Sequence, residues 1–179
     1  MQKENKNKKT QALSKKEIKK TFKKFKRKQE IFLLLENIQY ATNVASIFRT
    51  ADAAGVRRII LTGISHKPPF GKDLSKTSRH KEKSVQWEFH KTSGKILNTL
   101  KKNGFIVVSL ELTNNSVDLY SLPYKLAGRD KVCIVVGNEV HGVSKSTLEK
   151  SDLSVHIPMF GKGASLNVGV AAGILLFGF

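Results

Sequence analysis

Polar and small residues follow three apolar stretches of the sequence, at the points where those stretches end. Glu111 comes after "FIVVSL", residues 137–139 (Gly-Asn-Glu) come after "KVCIVV", and residues 157–158 (Ile-Pro) lead into a glycine turn at 161–163. Residues 165–167 (Ser-Leu-Asn) follow that turn. In open α/β sheets, ligands bind beyond the carboxyl ends of the strands. These positions therefore predict a ligand site that combines carboxylate, amide and hydroxyl groups at one edge of a sheet.

The elements that position these residues alternate between two patterns. Strand-length apolar runs occupy residues 31–38, 57–63, 105–112, 131–139 and 154–159. Helical patterns occupy residues 43–55, 93–104, 144–151 and 164–177. Because apolar strands that alternate with helices form parallel sheets, we predict an α/β fold with helices on both faces of a mostly parallel sheet.

Two of the predicted helices carry terminal signals. In the helix over 43–55, apolar residues recur at intervals of three and four, and Gly55 stands where a C-terminal cap is expected. In the short helix over 144–151, Ser146 and Glu149 have the spacing of a capping box.

A long basic segment, residues 65–90, interrupts the alternation and contains the only tryptophan, Trp87. We predict a loop here, because a segment of this length without a periodic pattern is usually functional or disordered. Trp87 either anchors the loop to the body of the domain or stacks on a nucleic-acid base.

Positive charge is concentrated at the start of the chain. The formal net charge of the 179 residues is +18, and residues 1–28 contain thirteen of the 32 basic residues and two of the 14 acidic ones. We therefore divide the chain into a lysine-rich arm at 1–30, partly helical or disordered, and a folded domain at 31–179. Such an arm favours a polyanionic partner, with nucleic acid ahead of an anionic membrane surface.

Spacing and composition argue against several other functions. Gly163 follows Lys162 where a Walker loop needs Ser or Thr, and Leu166 occupies the last glycine position of a dinucleotide turn. The uncharged stretch 163–179 has 17 residues, some of them polar, so we predict a buried helix rather than a membrane anchor. Scattered histidines and a single cysteine, Cys133, predict no metal site, no disulfide and a reducing, cytoplasmic compartment.

Three segments resemble, in order and spacing, the motifs of the SpoU–TrmH family of SPOUT-class RNA ribose 2′-O-methyltransferases. They are "NVASIFRTADAAG" (43–55), "IVVGNEVHGVS" (134–144) and "IPMFGKGASLNVGVAAGILLF" (157–177), and the match extends over 31–177. The resemblance implies a SPOUT fold with a C-terminal deep trefoil knot, and a homodimer. It also implies S-adenosylmethionine as the methyl donor and structured RNA, either tRNA or rRNA, as the substrate.

The resemblance further implies roles for ten residues. The cofactor-binding residues are Leu110, Glu111, Gly137, Ile157 and Leu166, with Ile157 and Leu166 on the two faces of adenine. The catalytic residues are Asn43, Arg49, Glu139, Ser165 and Asn167. The counterpart of Arg49 is assigned to catalysis across the dimer. We expect Arg49 to orient and stabilise the 2′-oxygen, since a neutral arginine at pH 7 costs roughly 7 kcal/mol or more.

Two other functions stay open on the sequence. The first is an RNA-binding protein with the same fold but no turnover. The second is a nucleotide-binding fold of unrelated chemistry, although the missing phosphate motifs count against it. The sequence stops at Phe179, before the polar continuation of the last helix that the resemblance implies, so a truncated helix and a weakened dimer contact are expected.

Overall fold

The computed structural model describes residues 11–25 and 27–179 of the chain. In those residues the strands are β1 (Glu30–Glu36), β2 (Arg58–Thr62), β3 (Gln86–His90), β4 (Ile106–Leu110), β5 (Val117–Asp118), β6 (Lys131–Val136) and β7 (Leu153–His156). The helices are α1 (Lys15–Phe22), α2 (Ala41–Ala54), α3 (Lys72–Ser78), α4 (Ser93–Lys102), α5 (Leu122–Lys125), α6 (Lys145–Leu148) and α7 (Val168–Phe177).

The seven strands form one parallel sheet in the order β3-β2-β1-β6-β4-β7-β5. From β1 the chain runs outward through β2 to the edge strand β3, whereas β6 is inserted between β1 and β4, and β7 between β4 and β5. Strands β1 and β6 therefore lie side by side near the centre. In the register of that pair, Leu33 lies opposite Ile134. The predicted parallel α/β sheet is confirmed.

Side chains of the central strands alternate between two separate cores. On β1, Ile31, Leu33 and Leu35 face the core that contains α2 and α7, whereas Phe32 and Leu34 face the core that contains α4. Both faces of the sheet are therefore covered by helices, which explains why β1 is an unbroken apolar run rather than an alternating one.

Helix α2 carries the predicted apolar stripe on its buried face, and it ends at Gly55, whose φ of 72° is left-handed. Helix α7 begins later than predicted, at residue 168 rather than 164. The reason is Asn167, whose side-chain oxygen accepts hydrogen bonds from the backbone N–H groups of Gly169 and Val170. Residues 164–167 therefore remain a turn that leads into the helix.

The prediction of a loop over residues 65–90 was wrong. This segment contains α3, a 3₁₀ turn at residues 81–83 and the edge strand β3. Phe70 anchors it by packing edge to face on Phe48 of α2, with ring centroids 5.4 Å apart. Trp87 pairs in register with Ile59 of β2. The predicted capping box of Ser146 and Glu149 was also wrong, because the N-cap of α6 is Ser144, whose hydroxyl accepts a hydrogen bond from the N–H of Thr147.

Helix α1 lies in the lysine-rich arm and buries none of its residues. It is capped locally, since Ser14 and Glu17 form a reciprocal capping box. The arm reaches the domain at Arg27, which donates to the carbonyl of Leu176 and lies 5.1 Å from the ring centroid of Phe179. Residues 1–10 and 26 of the predicted arm fall outside the described residues.

Across residues 11–25 and 27–179, every helix is too short or too polar to cross a lipid bilayer.

Candidate active site

Three polar residues from distant parts of the chain form a continuous hydrogen-bonded row. Asn43 lies in the first turn of α2, Glu139 follows β6, and Asn167 caps α7. The amide nitrogen of Asn43 donates to Glu139 Oε1 at 2.7 Å. The amide nitrogen of Asn167 donates to the side-chain oxygen of Asn43 at 3.0 Å. The structure therefore brings together one predicted polar residue from each of the three motifs.

The Glu139 carboxylate also receives backbone hydrogen bonds from the turn that precedes α2. The N–H of Gln39 donates to it at 2.8 Å and the N–H of Tyr40 at 3.2 Å. Burial alone would raise the pKa of Glu139, but the hydrogen bonds from Gln39, Asn43 and Tyr40 outweigh that effect and lower the pKa below its ordinary value. Glu139 is therefore ionised at neutral pH. Because it accepts the hydrogen bond of the Asn43 amide nitrogen, the side-chain oxygen of Asn43 is directed towards Asn167.

A cleft of about 570 Å³ opens beyond the carboxyl ends of β4 and β7. Its walls include Leu110 and Glu111 from the end of β4, Ile157 from the end of β7, and Ser165 and Leu166 from the turn before α7. Four of the five residues predicted to bind the cofactor, and one predicted to be catalytic, thus share one concave surface. The cleft adjoins the polar row, because Leu166 and Asn167 are consecutive in the chain.

Gly137, the fifth predicted cofactor residue, is buried and does not line this cleft. A Cβ at this position would lie only 2.1 Å from the carbonyl carbon of Gly142. Glycine is therefore required here by the close approach of two backbone segments within the loop 137–144. Glu111 holds the same loop, since one of its carboxylate oxygens accepts a hydrogen bond from the N–H of Val143 at 2.9 Å.

Arg49 lies apart from the cleft, on α2. Its side chain is exposed, and it makes no ion pair or side-chain hydrogen bond with the described part of the chain. Six residues of helix separate it from Asn43, a rise of roughly 9 Å. Arg49 is therefore presented to solvent rather than to the polar row.

Sequence reasoning missed Glu36, the last residue of β1. The residue is 3% exposed, and its carboxylate accepts hydrogen bonds from the hydroxyls of Ser93 and Thr147, each at 2.6 Å. It also accepts the N–H of Ser144 at 2.9 Å and the hydroxyl of Ser144 at 3.1 Å. This carboxylate therefore ties α4 and α6 to the carboxyl end of β1. The sequence signal that could have identified Glu36 is an acidic residue at the end of an unbroken apolar strand.

The described residues contain no group of three or more His, Cys, Asp or Glu side chains that could hold a metal ion. Cys133 is fully buried, and this burial raises the pKa of its thiol to about 12. The thiol is therefore protonated and faces the core rather than the cleft.

Comparison with known proteins identifies the family. The model of the SpoU rRNA Methylase family matches residues 30–177, which is most of the chain. The chain belongs to the SpoU rRNA Methylase family. The family match spans both the hydrogen-bonded row and the cleft, and it leaves out most of the lysine-rich arm.

Two curated relatives of this SpoU family member are named for different RNA substrates. The chain is 28% identical over 152 residues to a tRNA (guanosine(18)-2′-O)-methyltransferase of Escherichia coli, with 85% of this chain and 63% of the relative covered. It is 33% identical over 151 residues to the 23S rRNA (guanosine(2553)-2′-O)-methyltransferase RlmP of Bacillus subtilis, with 81% and 56% covered. The chain thus spans about three fifths of the length of these relatives.

A solved structure of similar fold contains the methyl donor. The AdoMet-bound rRNA methyltransferase from Sinorhizobium meliloti superposes on the SpoU domain with a TM-score of 0.75 at 27% identity, covering 85% of this chain and 56% of that one.

Proposed function

We propose that this chain is an RNA ribose 2′-O-methyltransferase that uses S-adenosylmethionine and acts on tRNA or rRNA. The observation that carries the proposal is the position of the row Glu139–Asn43–Asn167 directly beside an apolar cleft at the carboxyl edge of the sheet. The names of its relatives and the AdoMet-bound neighbour support the same reaction.

The residues around the cleft fit S-adenosylmethionine. The cleft volume lies within the range of small-molecule sites, and the side chains of Ile157 and Leu166 offer apolar surfaces for adenine. Glu111 adds a carboxylate to the wall, while Gly137 shapes the loop behind it. When bound there, S-adenosylmethionine supplies an electrophilic methyl group on a sulfonium.

The protein's own groups orient the acceptor ribose. Glu139 and Asn167 fix the amide of Asn43, and Ser165 presents a hydroxyl to the cleft. Held in line with the methyl group, the 2′-oxygen would bond to the methyl carbon as the carbon–sulfur bond breaks, and the sulfur would leave as a neutral thioether. The hydroxyl proton would pass to water late in the transfer. Arg49 donates a hydrogen bond to that oxygen and so orients its lone pair towards the methyl group.

The exposed position of Arg49 fits an active site shared between two copies of the chain. Helix α7 has an outward apolar stripe, formed by Val170, Ile174 and Phe177, one or two turns apart. We propose that this stripe packs against a second copy and that Arg49 reaches the partner's cleft. An apolar face of this kind is typical of homodimer interfaces.

We propose in addition that the segment after β7 is threaded as a deep trefoil knot. Strand β7 lies next to β4, whereas α7 returns to share a core with α2, beside β1. The last segment therefore passes the carboxyl ends of β4 and β6 on its way back. This return path, together with the tightly closed loop 137–144, supports the threading.

The test is transfer of a labelled methyl group from S-adenosylmethionine to total RNA, followed by mapping of the modified ribose. Incorporation at a ribose 2′-oxygen is the expected result. If the chain binds S-adenosylmethionine and RNA but no RNA gains the label, the alternative of a non-catalytic RNA-binding protein replaces this proposal.

A further inference from the structure

A second concave surface lies in the basic segment 65–90, and the proposed reaction leaves it without a role. This basic pocket has a volume of about 730 Å³. Its apolar lining comes from Pro68, Pro69, Phe70 and Trp87. The Trp87 ring is held only in part, since 36% of the residue remains exposed.

Lysine side chains surround this apolar lining. Lys72 and Lys76 of α3 and Lys83 of the 3₁₀ turn all line the pocket and are exposed to solvent. The acid in the pocket, Glu82, is buried and accepts hydrogen bonds from the hydroxyls of Ser75 and Ser78. Asp73 lies 3.8 Å from Lys76 Nζ, so three lysines face two acids and the rim keeps a net positive charge above an aromatic and proline surface.

The pocket is separate from the methyl-transfer cleft. Trp87 lies on β3, at one edge of the sheet, whereas the cleft begins at β4. Four strand spacings separate β3 from β4, a distance of about 19 Å. A ribose in the cleft therefore belongs to a different nucleotide from any that the pocket holds.

The pocket is fixed to the helix that carries Arg49. Phe70 packs on Phe48 of α2, and Lys81 Nζ lies 2.7 Å from Asp52 Oδ2, also on α2. The two contacts join the segment to α2 at points on either side of Arg49. An occupant of the pocket is therefore held at a set distance from that arginine.

We propose that the basic pocket binds an unpaired nucleotide of the substrate RNA, with the base stacked on Trp87 and the phosphates paired with Lys72, Lys76 and Lys83. Single-stranded nucleic acid is bound by this combination of an aromatic face and a cationic rim. The inference rests on the proposed function for the identity of the RNA, but its test does not depend on methyl transfer.

Trp87 is the only tryptophan of the chain, so its fluorescence reports on this pocket alone, even when the arm also binds RNA. Titration of the full chain with tetra-adenylate or tetra-uridylate should quench the fluorescence in a saturable way. Trp87→Ala should weaken binding of the labelled oligonucleotide about tenfold. Tyr124→Ala, which removes an exposed aromatic on α5, should leave affinity unchanged.

The lysines are tested through salt dependence. Replacing Lys72, Lys76 and Lys83 together by alanine should reduce the slope of log affinity against log salt by about 2. The matched triple variant of Lys95, Lys102 and Lys125, all exposed and outside the pocket, should change it less. Absence of quenching at RNA concentrations that bind the chain, or equal slopes in both triple variants, would overturn the subsite.

The two proposals fail separately. Fluorescence quenching without methyl incorporation would support the nucleotide subsite and refute the proposed methyltransferase activity. The opposite result is methyl incorporation without fluorescence quenching, together with an unchanged KM for RNA in Trp87→Ala. It would support the methyltransferase activity and refute the nucleotide subsite.

Discussion

The side-chain amide of Asn43 donates a 2.7 Å hydrogen bond to Glu139, although 96 residues separate the two in the chain. The contact is possible because β1 and β6 are adjacent and parallel, so the turns at their carboxyl ends lie together. The start of α2 and the loop after β6 are therefore fixed to each other before any ligand arrives.

Arg49→Ala should lower the rate of methyl transfer about 100-fold or more while the affinity for S-adenosylmethionine stays the same. The reason is that Arg49 lies outside the cleft and is proposed to orient the 2′-oxygen of the RNA rather than to bind the cofactor. Single-turnover methylation and calorimetric cofactor binding give the two quantities. Arg129→Ala, another exposed arginine, is the control. Unchanged turnover in Arg49→Ala would end the proposed role.

Stability should depend on the charge of Glu139 at acidic pH. The pKa of Glu139 is lowered in the folded chain, so its stabilising effect is complete above the ordinary glutamate pKa of about 4.3 and is lost as pH falls through the folded value. Urea unfolding from pH 6 to pH 3 measures the free energy of unfolding of the wild type and of Glu139→Gln. The difference between these two free energies should shrink below about pH 4.3. A difference that stays constant across this range would contradict the assignment.

Glu36→Gln should destabilise the domain by about 1–3 kcal/mol, because an amide nitrogen replaces one acceptor oxygen and leaves buried donors unpaired. Those donors are the groups of Ser93, Ser144 and Thr147. Chemical denaturation measures the free energy of unfolding. Glu149→Gln, at the exposed C-cap of α6, should be nearly neutral. Equal effects in both variants would argue against the buried network.

Gly137→Ala should lower the thermal midpoint of unfolding, since the added Cβ would overlap the backbone of Gly142. Overpacking of this kind costs about 1–3 kcal/mol. Gly161→Ala provides the matched control, because a Cβ there would have no other atom within 4 Å. If the two variants have the same thermal midpoint of unfolding, the loop 137–144 does not close against Gly137.

Ile174→Glu should convert a dimer into monomers, because a carboxylate would be placed at the centre of the apolar stripe of α7. Sedimentation velocity on the full chain measures the association state. Tyr124→Glu places the same charge on an exposed site of α5 and should leave that state unchanged. A wild-type chain that sediments as a monomer at concentrations where it is active would refute the shared site.

The strongly periodic parts of the fold could be predicted from the sequence, whereas contacts between distant segments could not. The stripe of α2 and the runs of β1 and β6 have lengths and spacings that only one type of element satisfies. Strand β3 was missed because it is short and follows a segment dominated by charge. Glu36 was missed because its hydroxyl partners are more than 50 residues away. The cofactor-binding residues of the cleft were predicted from the family motifs. Spacing alone predicts that a site lies at one edge of the sheet, but not which ligand it binds.

The pairing of β1 with β6 also sets the order of events during synthesis. Glu30 pairs with Lys131, about 100 residues later in the chain. At a translation rate of about 5–20 residues per second, β6 is therefore synthesised roughly 5–20 s after β1. The apolar face of α2 waits longer still, until α7 has been translated. A nascent chain therefore exposes this future core until α7 emerges, and we expect it to need chaperone protection over that interval.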